Sequence, residues 1–333
     1  TLSQTHAKAA PFGHKDLVSL ADYNAGEIAH LIKLGKRLKD DHHAGKAHAI
    51  FPGKTLAMVF QKPSLRTRVS FEAAMTHFGG HAIYLGPADI QLGARETIED
   101  AAKVLSGYAD AIMARVFSHD HVVELAQHAS VPVINGLSDR LHPCQALGDL
   151  LTVYEHKGAL DGLKLTFIGD GNNVAHSLLN AAPQLGMDVT VACPEGHAPD
   201  PEIVAFAQGF GTQIEVVHDP VAGVAGADVV YTDVWASMGQ EAEAEARKAR
   251  FAPFQLNAAL LALAKPGALA LHFLPAHYGE GITHQGAHGP QSGPDGRRGG
   301  GGGGGGGEGG GGGGGALPPP EPPRGGGGGG RRG

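Results

Sequence analysis

The sequence predicts an α/β protein: two doubly wound parallel-sheet domains joined by long helices, with an active site in the cleft between them. Three observations predict it. Short apolar runs alternate with helical segments along most of the chain, the signature of a parallel sheet covered on both faces. The alternation pauses at a long helical stretch, 141–154, and then restarts, which gives two units of similar size. Nearly every polar motif follows directly on a strand, and open parallel sheets hold ligands beyond the carboxyl ends of their strands.

The elements follow in order. Ile28, Leu31, Ile32, Leu34 and Leu38 recur at helical spacing within 15–40. A strand is expected over 55–60, then a helix over 66–78 ended by Gly79-Gly80. Next come a strand at 82–85, a helix at 97–106 opened by acidic residues that suit its positive end, a strand at 111–115, a helix at 119–129 and a strand at 131–135. After the 141–154 helix the second unit reads strand 164–168, helix 173–185, strand 188–192, helix 201–208 and strand 213–217. It finishes with strand 228–231, helices 240–250 and 256–262, and strand 268–271. The expected domains are 1–140 and 141–283, the second beginning with the interdomain helix.

Composition narrows the function. The 333 residues are 42% hydrophobic and 18% charged, with a net charge of −7. That balance offers no basic footprint for nucleic acid and no attraction to an anionic membrane. No apolar run approaches the roughly 20 residues of a membrane span, and Thr1–His6 shows no basic-then-apolar leader. Two cysteines, Cys144 and Cys193, make neither a disulfide framework nor a zinc pattern, so a cytoplasmic, reducing compartment is expected and both read as inert. Of the 20 histidines, the His42-His43 and His119/His121 pairs read as surface. No metal or cofactor is expected. From 284 to 333 the chain is dominated by Gly, Pro and Arg with almost no large apolar residue, so it is expected to be disordered. A reading-frame shift near 284 in a GC-rich gene would produce such a run.

The chemistry lies in the post-strand motifs. Gln61-Lys62-Pro63-Ser64-Leu65-Arg66-Thr67-Arg68 joins a strand to a helix N-terminus, where unpaired N–H groups and arginine forks suit phosphate. The plainer alternative is Ser64 as an ordinary cap with solvated arginines. Arg115 ends a strand. Asn135-Gly136-Leu137-Ser138-Asp139 leads into His142-Pro143-Cys144-Gln145, and His142 and Gln145 near Arg115 can polarise a carbonyl. His142 as a mere helix cap is the alternative. In the second unit, Asp233 and Ser237 suit an ammonium, while Asn172 and Asn173 suit a carboxylate or form a plain turn. Trp235 and Met238 are apolar enough to be packing. Gly169-Asp170-Gly171 is half a dinucleotide fingerprint, but Val174 stands where its third glycine would be. An amine attacking an activated carbonyl, with phosphate leaving, fits this inventory.

Ser64-Leu65-Arg66-Thr67-Arg68, His142-Pro143-Cys144-Gln145, Asp233-Val234-Trp235-Ala236-Ser237-Met238-Gly239 and His272-Phe273-Leu274-Pro275 together resemble the motifs of the aspartate/ornithine carbamoyltransferase family, over residues 12–283. The resemblance implies transfer of a carbamoyl group from carbamoyl phosphate, and the Ser-Met-Gly loop implies ornithine as acceptor, giving citrulline and phosphate. It implies that Ser64, Leu65, Arg66 and Thr67 bind carbamoyl phosphate and that Arg115, His142 and Gln145 contact the carbamoyl group. Gln91 would reach a neighbouring subunit's site, implying a homotrimer or a multiple of one. Asn173, Asp233, Ser237 and Met238 would hold ornithine, and Leu274 would accept from the carbamoyl NH2. Lys62 and Arg68 are open to a structural reading. Two departures stand out. Phe273 replaces the family's cysteine beside the attacking amine, which implies weakened ornithine binding and low turnover. The 284–333 run replaces a closing helix that brings an arginine to the phosphate. A carbamoyltransferase for another amine, a carbamoyl-phosphate-binding homologue without turnover and, more distantly, a nucleotide-binding oxidoreductase remain the alternatives.

Overall fold

A computed structural model of the chain describes residues 12–235, 244–273, 279 and 281–283. Two all-parallel sheets organise them. The first carries β1 (Thr55–Phe60), β2 (His81–Leu85), β3 (Ala111–Arg115) and β4 (Val133–Leu137) in the order β2-β1-β3-β4. The second carries β5 (Lys164–Ile168), β6 (Asp188–Ala192), β7 (Ile214–Val217), β8 (Val229–Thr232) and β9 (Leu269–His272) in the order β7-β6-β5-β8-β9. The helices are α1 (Ala25–His43), α2 (Leu65–His77), α3 (Pro87–Ile90), α4 (Ile98–Tyr108), α5 (His119–His128) and α6 (Pro143–Lys157), then α7 (Asn173–Ala181), α8 (Pro201–Gln208), α9 (Pro220–Val224), α10 (Ala244–Phe251) and α11 (Ala258–Leu261).

Strand periodicity explains the layers. Along β1, Leu56, Met58 and Phe60 enter one core with Met113, while Ala57 and Val59 enter another with Ile112, Val122 and Leu125. A two-residue period that is apolar on both sides leaves no wet face, as a helix-covered parallel sheet requires. The second sheet repeats the device: Leu165 and Phe167 face one core and Ile168 the other. The larger of these cores also takes Leu20, Ile28 and Ile32 from the α1 region and Ala146, Leu150 and Val153 from α6. α1 and α6 therefore pack side by side against the second sheet.

Several boundaries differ from the periodicity, each for a local reason. α1 starts late because Asn24 and Glu27 form a reciprocal capping box, with N–H to oxygen distances of 3.0 and 2.9 Å. A Ser19-capped turn, Leu20–Asp22, precedes it. α3 and α9 were not legible as helices: they are four and five residues long, each opened by proline at its first position. β4 begins after Pro132 and runs on through Asn135-Gly136-Leu137, so the third polar cluster starts inside a strand. α11 starts late because Leu256 bridges to Ile282 and Asn257 then caps the helix, which runs four residues. No described helix is long and apolar enough to cross a membrane.

Candidate active site

Both sheets reverse their strand order once, between β1 and β3 in the first and between β5 and β8 in the second. The loops beyond such switch points diverge and leave a crevice. The segments leaving those four strands carry most of the candidate residues.

On the first sheet, Phe60 and Arg115 are register partners at the strand ends. Gln61 fixes the turn after β1. Its N–H donates to Arg115 O (2.9 Å), its Nε2 to Leu92 O (3.0 Å), and its Oε1 accepts from Phe117 N (2.9 Å). Ser64 then caps α2: its Oγ accepts from Thr67 N (3.4 Å) and donates to Thr67 Oγ1 (3.1 Å). Arg115 Nη1 reaches the same Thr67 Oγ1 at 3.5 Å. The β3–β4 register slips between Ala114 and Arg115. A rim bulge of this kind re-aims the side chain that follows it. Gly136 permits it, since a Cβ there would lie 2.4 Å from Met113 Sδ.

The electrostatics of this end are one-sided. Lys62, Arg66 and Arg115 form no ion pair among the described residues. Arg115 is 5% exposed, and its Nε is buried without a hydrogen-bond partner. Burial, then the nearby Arg66 charge, pushes its guanidinium down to about 10. Burial, then Arg115, also lowers the Lys62 ammonium, against a smaller opposing pull from Asp139. Neither α2 nor α6 carries an acid in its first turn. Cations gathered without a counter-charge, beside helix N–H groups, make a site that an anion relieves. Arg68 stands apart: it pairs with Glu72 at 3.0 Å and stacks over Tyr84 at 4.0 Å, a structural role.

His142 occupies the cap position of α6, but its side chain makes no cap bond. Its backbone N–H donates to Ser177 Oγ at 2.7 Å, and its Nδ1 is buried without a partner among the described residues. Burial, reinforced by Arg115 and Lys62, pushes the imidazole down to about 3, so it is neutral at physiological pH. Gln145, one turn on, donates from Nε2 to Asp149 Oδ1 at 2.8 Å.

On the second sheet the polar groups arrive already partnered. Asn172 caps α7 through Oδ1 and donates from Nδ2 to Asp233 Oδ2 at 2.7 Å. Val234 N–H donates to Asp233 Oδ1 at 2.7 Å. Burial raises the Asp233 carboxyl to about 7 against the pull of those two donors. Asn173 Nδ2 donates to Ser138 O at 2.7 Å, so it ties the loop after β4 to α7. Phe273 sets its ring edge-on to His142, with centroids 5.7 Å apart, and packs partly buried against the larger core. Asp170 binds Arg247 and His197, and Arg247 Nε donates to Trp235 O at 2.5 Å, which staples α10 to the loop after β5. Gly171 is there for close packing: a Cβ would lie 2.3 Å from Pro199 N.

A family model described as aspartate/ornithine carbamoyltransferase, carbamoyl-P binding domain, matches residues 15–155. The corresponding Asp/Orn binding domain matches 161–293. The chain belongs to the aspartate/ornithine carbamoyltransferase family. It is 55% identical over 282 residues, 84% of this chain and 89% of the other, to a protein of Pyrococcus abyssi named ornithine carbamoyltransferase. It is 50% identical to one of that name in Bacillus subtilis, over 84% of this chain and 87% of the other. The solved ornithine carbamoyltransferase of Pyrococcus furiosus superposes with a TM-score of 0.81 at 55% identity, covering 84% of this chain and 90% of that one. Two parallel-sheet α/β domains are therefore the fold of this carbamoyltransferase family member.

The structure joins Ser64, Thr67 and Arg115 by hydrogen bonds, and His142 to that set through charge. Leu65 is the first, exposed residue of α2, and Arg66 follows it. Gln91 is exposed in the loop after α3, with no described contact to this set. Asn172 and Asn173 each spend one amide hydrogen on a protein acceptor, and the NH2 group of each has two. Ser237, Met238 and Leu274 lie outside the described residues, as does the 284–333 run. His119 and His121 are half-buried rather than fully exposed: His119 Nδ1 pairs with Ser138 Oγ at 2.9 Å and His121 Nδ1 with Gln61 at 3.0 Å. Sequence reasoning passed over Asp149 and Ser177, and named Ser138 only as part of the polar cluster after β4. Of the two missed, only Asp149 left a signal, four residues after Gln145 on one helical face.

Proposed function

We propose that the chain is an ornithine carbamoyltransferase, converting carbamoyl phosphate and L-ornithine to L-citrulline and phosphate. One observation carries the reading: a cation cluster without counter-ions at the end of the first sheet is bridged, through Asn173–Ser138 and His142–Ser177, to a buried acid poised near 7 at the end of the second. An acidic substrate suits one end and an ammonium suits the other. The names of the relatives, 50–55% identical over 84% of this chain, agree with it.

In this reading the α2 turn (Ser64, Leu65, Arg66 and Thr67) holds the phosphate. Arg115 and neutral His142 donate to the carbamoyl oxygen, and Gln145 orients the carbamoyl amine. Asn173 and Asp233, with Ser237 and Met238, hold the amino-acid end of ornithine, while Leu274 accepts from the carbamoyl NH2. The neutral δ-amine attacks the carbonyl, the new C–N bond forms, the C–O bond to phosphate breaks, and the surplus amine proton leaves with the phosphate. The negative charge that builds on the carbonyl oxygen falls where Arg115 and His142 supply fixed donors. Bringing both substrates together supplies much of the remaining rate. No metal or organic cofactor enters this scheme.

A homotrimer, or a multiple of one, with Gln91 completing a neighbour's site is part of the proposal. Its support is the exposed left-handed Gln91 (φ 43°) and an α2 with no buried residue, from which Leu65 (75%) and Val69 (53%) face outward. Free Cys144 and Cys193 suit a cytoplasmic location. Phe273 favours a second reading, a carbamoyl-phosphate-binding homologue with poor turnover, because its ring touches His142. Citrulline formation, measured with ornithine, aspartate and other primary amines, tests the proposal. Ornithine-dependent citrulline is expected; carbamoyl-phosphate binding without citrulline would support the second reading.

A further inference from the structure

We propose that Asp149 is a positioning residue for the transfer: its carboxyl group, sunk in the core one helical turn beyond Gln145, sets the orientation of the Gln145 amide. The inference rests on the reading of Gln145 as a carbamoyl contact.

The geometry is specific. Asp149 is 1% exposed and Gln145 7%, both on α6, and Gln145 Nε2 donates to Asp149 Oδ1 at 2.8 Å. Among the described residues no cation pairs with Asp149, and its Oδ2 is buried without a partner. An ionised carboxylate in that position would carry an uncompensated desolvation cost. Burial accordingly holds the group well above the usual carboxylate range, with the negative charge of Asp233 adding to the shift. The other group bearing on it is the Tyr231 hydroxyl of β8, also fully buried. A neutral carboxyl has a carbonyl oxygen to accept from Gln145 Nε2 and an O–H of its own. It does for the amide what an unpaired charge could not do at that depth.

The consequence is orientational. An amide has a nitrogen end and an oxygen end, and only the oxygen can accept from the carbamoyl NH2. Drawing Nε2 along α6 toward Asp149 turns the carbonyl end the other way. Without Asp149 the amide loses the acceptor that fixes its nitrogen end, and the site loses definition. Because the group acts through Gln145, its removal should matter only while Gln145 is present.

The test is a double-mutant cycle on the full chain, read as citrulline formation with carbamoyl phosphate varied, beside thermal unfolding and a pH profile. Asp149→Ala should raise KM for carbamoyl phosphate on the order of tenfold, since loss of a positioning contact misplaces the reacting group. In a Gln145→Ala background the same change should cost less than about twofold. Asp149→Asn, which keeps an acceptor and a donor without charge, should restore kinetics to within about threefold and leave the pH profile unmoved. If Asp149→Ala does not fold, Asp149→Leu, which fills the volume without an acceptor, takes its place. Costs that multiply in the double mutant, or an Asp149→Asn as impaired as Asp149→Ala, would overturn the proposal. Wild-type kinetics in Gln145→Ala would instead sink the reading of Gln145 itself, and the positioning role with it.

Discussion

The two strand-end clusters solve opposite problems. At the first sheet, Lys62, Arg66 and Arg115 stand together without an ion-pair partner, and Arg115 Nε and His142 Nδ1 have no hydrogen-bond partner, among the described residues. At the second, Asp233 already accepts from Asn172 and Val234 N–H, and Asn173 already donates to Ser138. One end is electrostatically frustrated and gains by taking up an anion. The other is satisfied, and its readiness lies in a carboxyl held between its two protonation states. The difference teaches that phosphate should be bound by relief of repulsion, and the amino acid by ionisation of a single group.

Arg115→Ala should break this contrast most. It removes a fixed donor to the developing oxyanion and should lower kcat/KM for carbamoyl phosphate by on the order of 10²–10³. A loss under tenfold in steady-state kinetics would contradict the assignment. Asp233→Asn comes next, raising KM for ornithine on the order of tenfold or more while leaving KM for carbamoyl phosphate near its parent value. It also carries a sign prediction for stability. The folded-state value of about 7 lies above the ordinary 3.8, so the native protein favours the neutral form and loses stability as pH rises between them. The asparagine variant lacks that loss, and by linkage its stability relative to the parent should rise by roughly 4 kcal/mol from pH 4 to pH 8. Denaturant unfolding at the two pH values checks it.

Phe273→Cys sharpens the same comparison at the seam. Taking the ring from His142 should raise kcat/KM for ornithine on the order of tenfold, with a stability cost of about 1–2 kcal/mol for the lost packing. Equal kcat/KM in the two proteins would show that the ring obstructs nothing. Ser64→Ala should have the smallest effect on stability, about 1 kcal/mol from the lost α2 cap, visible in thermal unfolding, alongside a raised KM for carbamoyl phosphate.

Much of this was legible in the residues. The 55–60, 111–115, 164–168 and 188–192 strands have the expected ends because β-branched and apolar runs bounded by turns leave little choice. The post-strand motifs were legible for the same reason. The site's connections were not. That Asn172 turns toward Asp233, or that Ser177 receives the His142 N–H, depends on which strands become neighbours, and helix spacing does not carry that. The short α3 and α9 escaped because four or five residues hold too little period to read.

The packing of Leu20, Ile28 and Ile32 into the core of the second sheet has a consequence for biosynthesis. The apolar stripe of α1 emerges early, yet Tyr231, Leu269 and Leu271 of the same core come more than 190 residues later. Contacts of such long sequence separation form slowly. Until α6 is made, about 100 residues after α1 ends, this helix presents an uncovered greasy face, the kind of surface on which nascent chains stick to one another. The first sheet, whose fully buried core residues fall between 56 and 133, has no such wait.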